Sequence, residues 1–115
     1  MKETKLYVGL NDSVTLKQLF EKEQYVSVLK HVCASYHVPF SFSIIQGGYY
    51  HESGELSEEN TLLITFLDID NEVVDEIAKD LCVFFKQESV LVSYGHAETK
   101  LIKELPVKIK KKQEK

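Results

Sequence analysis

Two apolar stripes at three- and four-residue spacing constrain most strongly what this chain can fold into. The first runs from Tyr25 to Tyr36, and the second runs from Val73 to Phe85. Side chains three and four positions apart share one face of a helix, so each stripe predicts an amphipathic helix with one buried side. Pro39 closes the first helix, because proline disfavours helical geometry in the residue before it. The segments around the helices must therefore supply the surface that covers both stripes.

Four short segments have the composition and alternation of strands, at 5–10, 40–45, 61–67 and 89–95. The resulting order, β-α-β-β-α-β, predicts an α+β domain with the ferredoxin-like arrangement, in which two helices cover one face of a four-stranded antiparallel sheet. Residues 14–23 are compatible either with a short helical turn or with an ordered loop.

The length of 115 residues is that of one domain. Residues 1–99 carry 7 lysines and 16 acidic residues, net −9, whereas residues 100–115 carry 7 lysines and 2 acidic residues, net +5, which together give −4. We therefore expect a single acidic ferredoxin-like domain at 1–99 and a basic, frayed tail at 100–115. No apolar run has the length of a membrane span and the start is too polar for a signal peptide, so a cytoplasmic location is expected.

The chain contains no arginine, since all 14 basic residues are lysines. Arginine supplies the planar fork that anchors phosphates, nucleic-acid bases and acidic substrates. The acidic body also repels phosphate, and the third strand, NTLLITFL, lacks the basic and aromatic run of RNA-recognition domains. Nucleic acid is therefore a disfavoured partner. Cys33 and Cys82 lie in the helical stripes without a CxxC spacing, which favours free buried thiols over a disulfide or a metal site.

The sheet face opposite the helices is expected to be unusually apolar. A solvated face normally carries charged side chains, whereas this one combines small hydroxyls with large aliphatic residues. We therefore predict that the chain is a homo-oligomer, with a dimer as the expected state, or that its C-terminal segment folds back over the sheet. The predicted oligomer interface consists of Ile45, Leu63, Leu67 and Leu91.

The stretch QGGYYHESGELSEEN at 46–60 joins the two central strands. Gly47 and Gly48 are expected to form a bulge or to admit another chain, while residues 49–51 continue the strand past the sheet edge and 55–60 return. A solvated acidic hairpin tip is favoured over a metal site formed by His51 and the glutamates. The predicted ligand-binding or partner-binding residues are Tyr7, Gly47, Gly48, Tyr49, Tyr50, His51, Glu52 and Glu55. The residues predict no catalytic group, no metal and no cofactor.

Four segments together resemble a group of small uncharacterised proteins encoded by phages and conjugative elements of low-GC bacteria. They are YVGLND (7–12), GGYYHESG (47–54), EENTL (58–62) and FFKQESVLV (84–92). The resemblance implies an accessory protein of a mobile genetic element and brings no catalytic residue with it.

These observations lead to two hypotheses for function. The first is a non-enzymatic binding or regulatory accessory protein, a homo-oligomer that binds a small ligand or a protein through residues 47–59, with a host protein as one candidate partner. The alternative is a small oligomeric enzyme with an apolar pocket between paired sheets, in which Tyr7, Tyr49 and His51 face the substrate.

Overall fold

The computed structural model describes residues 1–12, 14–50 and 52–103. The strands are β1 (Lys2–Gly9), β2 (Ser41–Tyr50), β3 (Leu56–Leu67) and β4 (Leu91–His96), and the helices are α1 (Lys22–Ser35) and α2 (Asn71–Phe85). The strands form one antiparallel sheet in the order β2-β3-β1-β4. The predicted α+β fold with ferredoxin-like chain order is confirmed.

The core lies between the helices and one face of the two central strands. Leu6 and Val8 of β1 and Leu62, Ile64 and Phe66 of β3 are fully buried. They sit at alternate positions, so all five point to the same side of the sheet. The buried side chains of α1 and α2 pack against them in one cluster; they are Tyr25, Leu29, Val32, Cys33, Val74, Ile77, Leu81 and Phe85.

The β2–β3 hairpin extends well beyond the other two strands. β1 stops at Gly9, which pairs with Thr61, whereas β2 and β3 continue to pair as far as Tyr50 and Leu56. We call residues 46–60 the hairpin arm. The arm is therefore mainly two paired strands, as expected from the continuation of the second strand past the sheet edge. Its pairing is one-to-one, so Gly47 forms no bulge.

Residues 14–21 form an ordered loop, and α1 begins directly after it at Lys22. The Tyr25 hydroxyl, on the buried face of α1, donates to the Leu10 carbonyl at 3.2 Å and accepts from the Phe20 amide at 3.3 Å. Glu21 precedes the helix, and its amide donates to the Gln24 side chain at 2.8 Å, as in a capping box. These bonds fix both ends of the loop against the first turn of α1.

The predicted division into a domain at 1–99 and a tail at 100–115 remains a prediction, and 104–115 lie outside the described residues. Leu101 and Ile102 are exposed. Within the described ranges, no helix combines the length and the apolar character needed to cross a membrane.

The end of α2 offers a test of local strain. Lys86, directly after the helix, has a left-handed backbone with φ 55° and ψ 47°. Glycine adopts this conformation without the steric cost that a Cβ imposes, so we expect Lys86→Gly to stabilise the fold by about 0.5–1 kcal/mol. Chemical denaturation measures the change. As a control, Lys79→Gly inside the helix should destabilise the fold by about 1 kcal/mol; equal losses in both variants would contradict the argument.

Candidate functional site

A polar cleft lies at the end of the sheet where β1 stops and β4 begins. Three segments meet there: the loop after β1, the base of the hairpin arm and the connection from α2 to β4. The cleft has a volume of about 260 Å³. It is lined by Asn11, Asp12, Leu16, Ser57, Glu59, Gln87, Glu88 and Ser89.

Asn11 joins the three segments through its backbone. Its amide donates to Glu59 Oε2 at 3.0 Å, and its carbonyl accepts a hydrogen bond from Gln87 Nε2. Asn11 also forms an isolated bridge with Gln18, whose side-chain oxygen accepts from Asn60 Nδ2 at 2.9 Å. The cleft wall is therefore held by bonds between residues far apart in the chain, and it requires the complete fold.

Glu59 is the half-buried carboxylate of the cleft. Its side chain lies across β1 at Gly9, where a Cβ would come within 2.8 Å of Glu59 Cδ and 2.9 Å of Oε1. Glycine at this position therefore leaves the space that the carboxylate occupies. Glu59 shares a sheet face with Thr61 and Leu63, because side chains alternate along β3.

Asp12 is 7% exposed and holds the loop that follows β1. Its Oδ2 accepts from the Thr15 amide at 2.8 Å and from the Val14 amide at 2.9 Å. These two backbone hydrogen bonds, Thr15 first, lower the pKa of Asp12 below its ordinary value of 3.8, since they stabilise the charged form. Asp12 is thus held as a carboxylate at neutral pH.

The two cysteines do not have the character of nucleophiles. Burial raises the pKa of the Cys33 thiol to about 11 and also raises the pKa of the Cys82 thiol. Both are free thiols. Across the described ranges, no three His, Cys, Asp or Glu side chains are grouped so that they could hold a metal ion.

The predicted binding residues do not converge on one place within a single chain. Tyr7 is half-buried in the middle of the sheet, level with Leu63, whereas Tyr50 pairs with Leu56, seven residues further along β3. At about 3.3 Å per strand residue, these levels are roughly 23 Å apart.

Most of the remaining predicted binding residues lie along the hairpin arm. Gly47 and Gly48 are in its paired part, while Glu52 and Glu55 are exposed at its turn. The side chain of Tyr49 and residue His51 lie outside what the structure describes.

The four predicted interface residues lie on the sheet face that the helices leave uncovered. The register places Tyr7 between Leu63 and Leu91, so the apolar surface crosses β3, β1 and β4. Leu91 is 63% exposed, while Leu67 and Ile45 are exposed to 46% and 40%. We call the surface formed by Tyr7, Ile45, Leu63, Leu67 and Leu91 the open face.

The sequence patterns predict a binding site on the hairpin arm and do not point to the cleft that the two loops form. They assign no role to Asn11, Asp12 or Gln87 in such a cleft. One signal was present: Gly9 interrupts a strand pattern, which often marks a place where another group approaches the backbone closely. The sequence does not reveal that the approaching group is Glu59.

Three solved structures are similar to this chain over most of its length. The chain is similar to a phage SAM lyase in complex with S-methyl-5'-thioadenosine, at 29% identity and a TM-score of 0.64, covering 82% of this chain and 79% of that one. It is similar to a phage SAM lyase in the apo state at 28% identity and a TM-score of 0.65, covering 82% and 78%. B. subtilis GlnK in complex with ATP, at 17% identity, a TM-score of 0.50 and 81% coverage of each chain, shares the fold. No protein-family model and no curated protein matches the sequence.

These similarities correct the functional prediction. The primary hypothesis of a non-enzymatic accessory protein is wrong, because phage SAM lyases, which are enzymes, are similar to this chain over 82% of its length. The expectation that the chain is not an enzyme and the description of its function as unknown are wrong for the same reason. The alternative hypothesis of a small enzyme is the better supported one. The resemblance to phage-encoded small proteins holds in its general form. The sequence favoured the wrong hypothesis because it contains no catalytic motif with a fixed spacing.

The lowered pKa of Asp12 predicts how stability depends on pH. The folded protein binds this proton less tightly than the unfolded chain, so the stabilisation is present above pH 3.8 and is lost as the pH falls through the lower folded pKa. We expect Asp12→Asn to melt below wild type at about pH 7, with a difference that shrinks as the pH falls below 3.8. Thermal melts across this range measure it. The exposed Glu98→Gln should follow wild type throughout; a constant difference for Asp12→Asn would contradict the prediction.

Proposed function

We propose that this chain is a lyase that cleaves S-adenosylmethionine and releases S-methyl-5'-thioadenosine. The observation that carries the proposal is the similarity, at 28–29% identity over 82% of the chain, to phage SAM lyase chains, one of which is in complex with S-methyl-5'-thioadenosine. The phage origin of these chains also supports a phage-encoded protein here.

The charge of the cleft suits this substrate. S-adenosylmethionine carries a sulfonium cation and an ammonium group, and Asp12, Glu59 and Glu88 bring three carboxyl groups to the cleft lining. Opposite charges within a few ångströms attract strongly where solvent is partly excluded. The net charge of −9 over residues 1–99 adds a long-range attraction for a cationic ligand.

The reaction requires the protein to orient the substrate and to favour the loss of positive charge from sulfur. The bond between the sulfonium sulfur and Cγ of the methionine moiety breaks, and sulfur leaves with the bonding pair as a neutral thioether. An oxygen of the substrate's own carboxylate supplies the new pair to Cγ and closes a lactone, so no proton and no outside reagent is needed. Because the positive charge on sulfur is lost, a carboxylate that only holds the sulfonium stabilises the substrate more than the transition state. A carboxylate that holds the ammonium group of the four-carbon fragment instead orients the oxygen that bonds to Cγ. Glu59 fits this role, because it is half-buried and held by the Asn11 amide at 3.0 Å.

A homo-oligomer completes the proposal. The cleft of about 260 Å³ is smaller than the roughly 300–1,000 Å³ usual for ligand sites. Glu59, which lines it, lies on the same side of β3 as the open face. A second copy covering the open face would bury Leu63, Leu67 and Leu91 and would close the cleft from the side. This keeps the predicted interface residues and places the site between copies.

The direct test is product release from S-adenosylmethionine, followed by chromatography of S-methyl-5'-thioadenosine. Glu59→Gln keeps the shape of the side chain and removes its charge, so we expect kcat to fall by roughly 10²-fold or more. Glu23→Gln, exposed on the outer side of α1, is the control and should retain wild-type turnover. For a lyase, the four-carbon product is one water lighter than homoserine. No thioadenosine release by wild type, or a four-carbon product that already has the mass of homoserine at the earliest time points, would refute the proposal.

The oligomer is tested with two matched charge substitutions. Leu91→Lys places a cation on the open face, where burial against another chain is costly, so we expect the assembly to dissociate to single chains. Val83→Lys, at a helix position that is 76% exposed, should leave the assembly intact. Sedimentation velocity at micromolar concentration measures both. A wild-type protein that sediments as a single chain would contradict the predicted homo-oligomer.

A further inference from the structure

We infer that Gly9 is a positioning residue: its lack of a side chain allows the Glu59 carboxylate to lie over β1 and to accept the Asn11 amide. Nothing in the strand itself requires glycine here. Gly9 pairs regularly with Thr61, and it is not among the described residues with positive φ. The need for glycine therefore comes from the side chain that crosses it.

The geometry shows which group would move if a side chain were added. A Cβ on Gly9 would meet the Glu59 carboxylate, with Cδ at 2.8 Å and Oε1 at 2.9 Å, and all three of its nearest atoms belong to that carboxylate. These atoms form the far end of a flexible side chain, so they can swing away while the backbone stays. Alanine at this position would therefore displace the carboxylate and leave the sheet folded.

Displacement would break the link between the strand and the loop. The Asn11 amide lies two residues beyond Gly9 and holds Glu59 Oε2 at 3.0 Å. A carboxylate pushed off β1 loses this donor and its fixed direction towards the cleft. A catalytic group moved by about 1 Å commonly costs around 10²-fold in rate, so the consequence for an enzyme is large.

The structural part of the inference can be measured without any activity. The ¹H and ¹⁵N shifts of the Asn11 amide report whether a carboxylate accepts its hydrogen bond. We expect Glu59→Ala to shift this amide strongly in the wild-type background and hardly at all in the Gly9→Ala background, because there the carboxylate has already left. A double-mutant cycle of this kind separates the effect through Glu59 from the direct effect of the added methyl group.

A second glycine provides the matched control. Gly95 lies in β4, and a Cβ there would make only an ordinary contact, 3.7 Å from the Glu3 carbonyl oxygen. In the Gly95→Ala background, Glu59→Ala should shift the Asn11 amide as much as it does in wild type. An undiminished shift in the Gly9→Ala background would overturn the inference. So would a Gly9→Ala protein that fails to fold, because the inference requires the side chain to give way before the backbone.

The kinetic part rests on the proposed function. Gly9→Ala should lower kcat by roughly 10²-fold while KM changes much less, and Gly95→Ala should not change either. Adding Glu59→Asp to Gly9→Ala should restore part of kcat, since the shorter side chain withdraws its carboxylate from the new methyl group. If wild type shows no turnover, the proposed function fails while the amide shifts still decide the positioning role. If wild type turns over and Gly9→Ala equals it, the positioning role fails alone.

Discussion

The burial of one side of β1 and β3 is the constraint on which the structure depends. Five fully buried side chains, Leu6, Val8, Leu62, Ile64 and Phe66, fix the register of the two central strands, because a shift by one residue would turn all of them to the opposite side. Both helices pack on this layer. The loop after β1 and the connection that leads into β4 meet at the end of the sheet where β1 stops. The position of the cleft is thus a consequence of where the central strands stop.

The same alternation creates the open face. Every residue that fixes the core has a neighbour that points away from it, and several of these neighbours are also apolar. Glu59 belongs to this outward-facing set, as do Leu63 and Leu67. The surface that suits self-association and the carboxylate of the cleft therefore lie on the same side of the molecule, which links the oligomer to the site in the proposed function.

Sequence patterns led to the correct fold but did not predict the cleft. The helical stripes and alternating strands are local periodicities, so they can be recognised without knowing any contact between distant residues. The hairpin arm was partly anticipated, since the continuation of the second strand beyond Gly47 and Gly48 was expected. The cleft was not, because it depends on hydrogen bonds from Asn11 to Glu59 and from Gln87 to Asn11, across 48 and 76 positions of chain. No local spacing encodes such pairs.

What the sequence determined by itself is the layer architecture, the acidic character of residues 1–99 and the apolar nature of both sheet faces, because composition and periodicity decide these. What only the tertiary structure decided is which glycine and which glutamate meet. Gly9 and Glu59 are separated by a helix and a complete strand, and they come together because β3 pairs with β1 in one particular register. A register is set by the summed burial of many side chains, so the contact that it creates belongs to the fold as a whole.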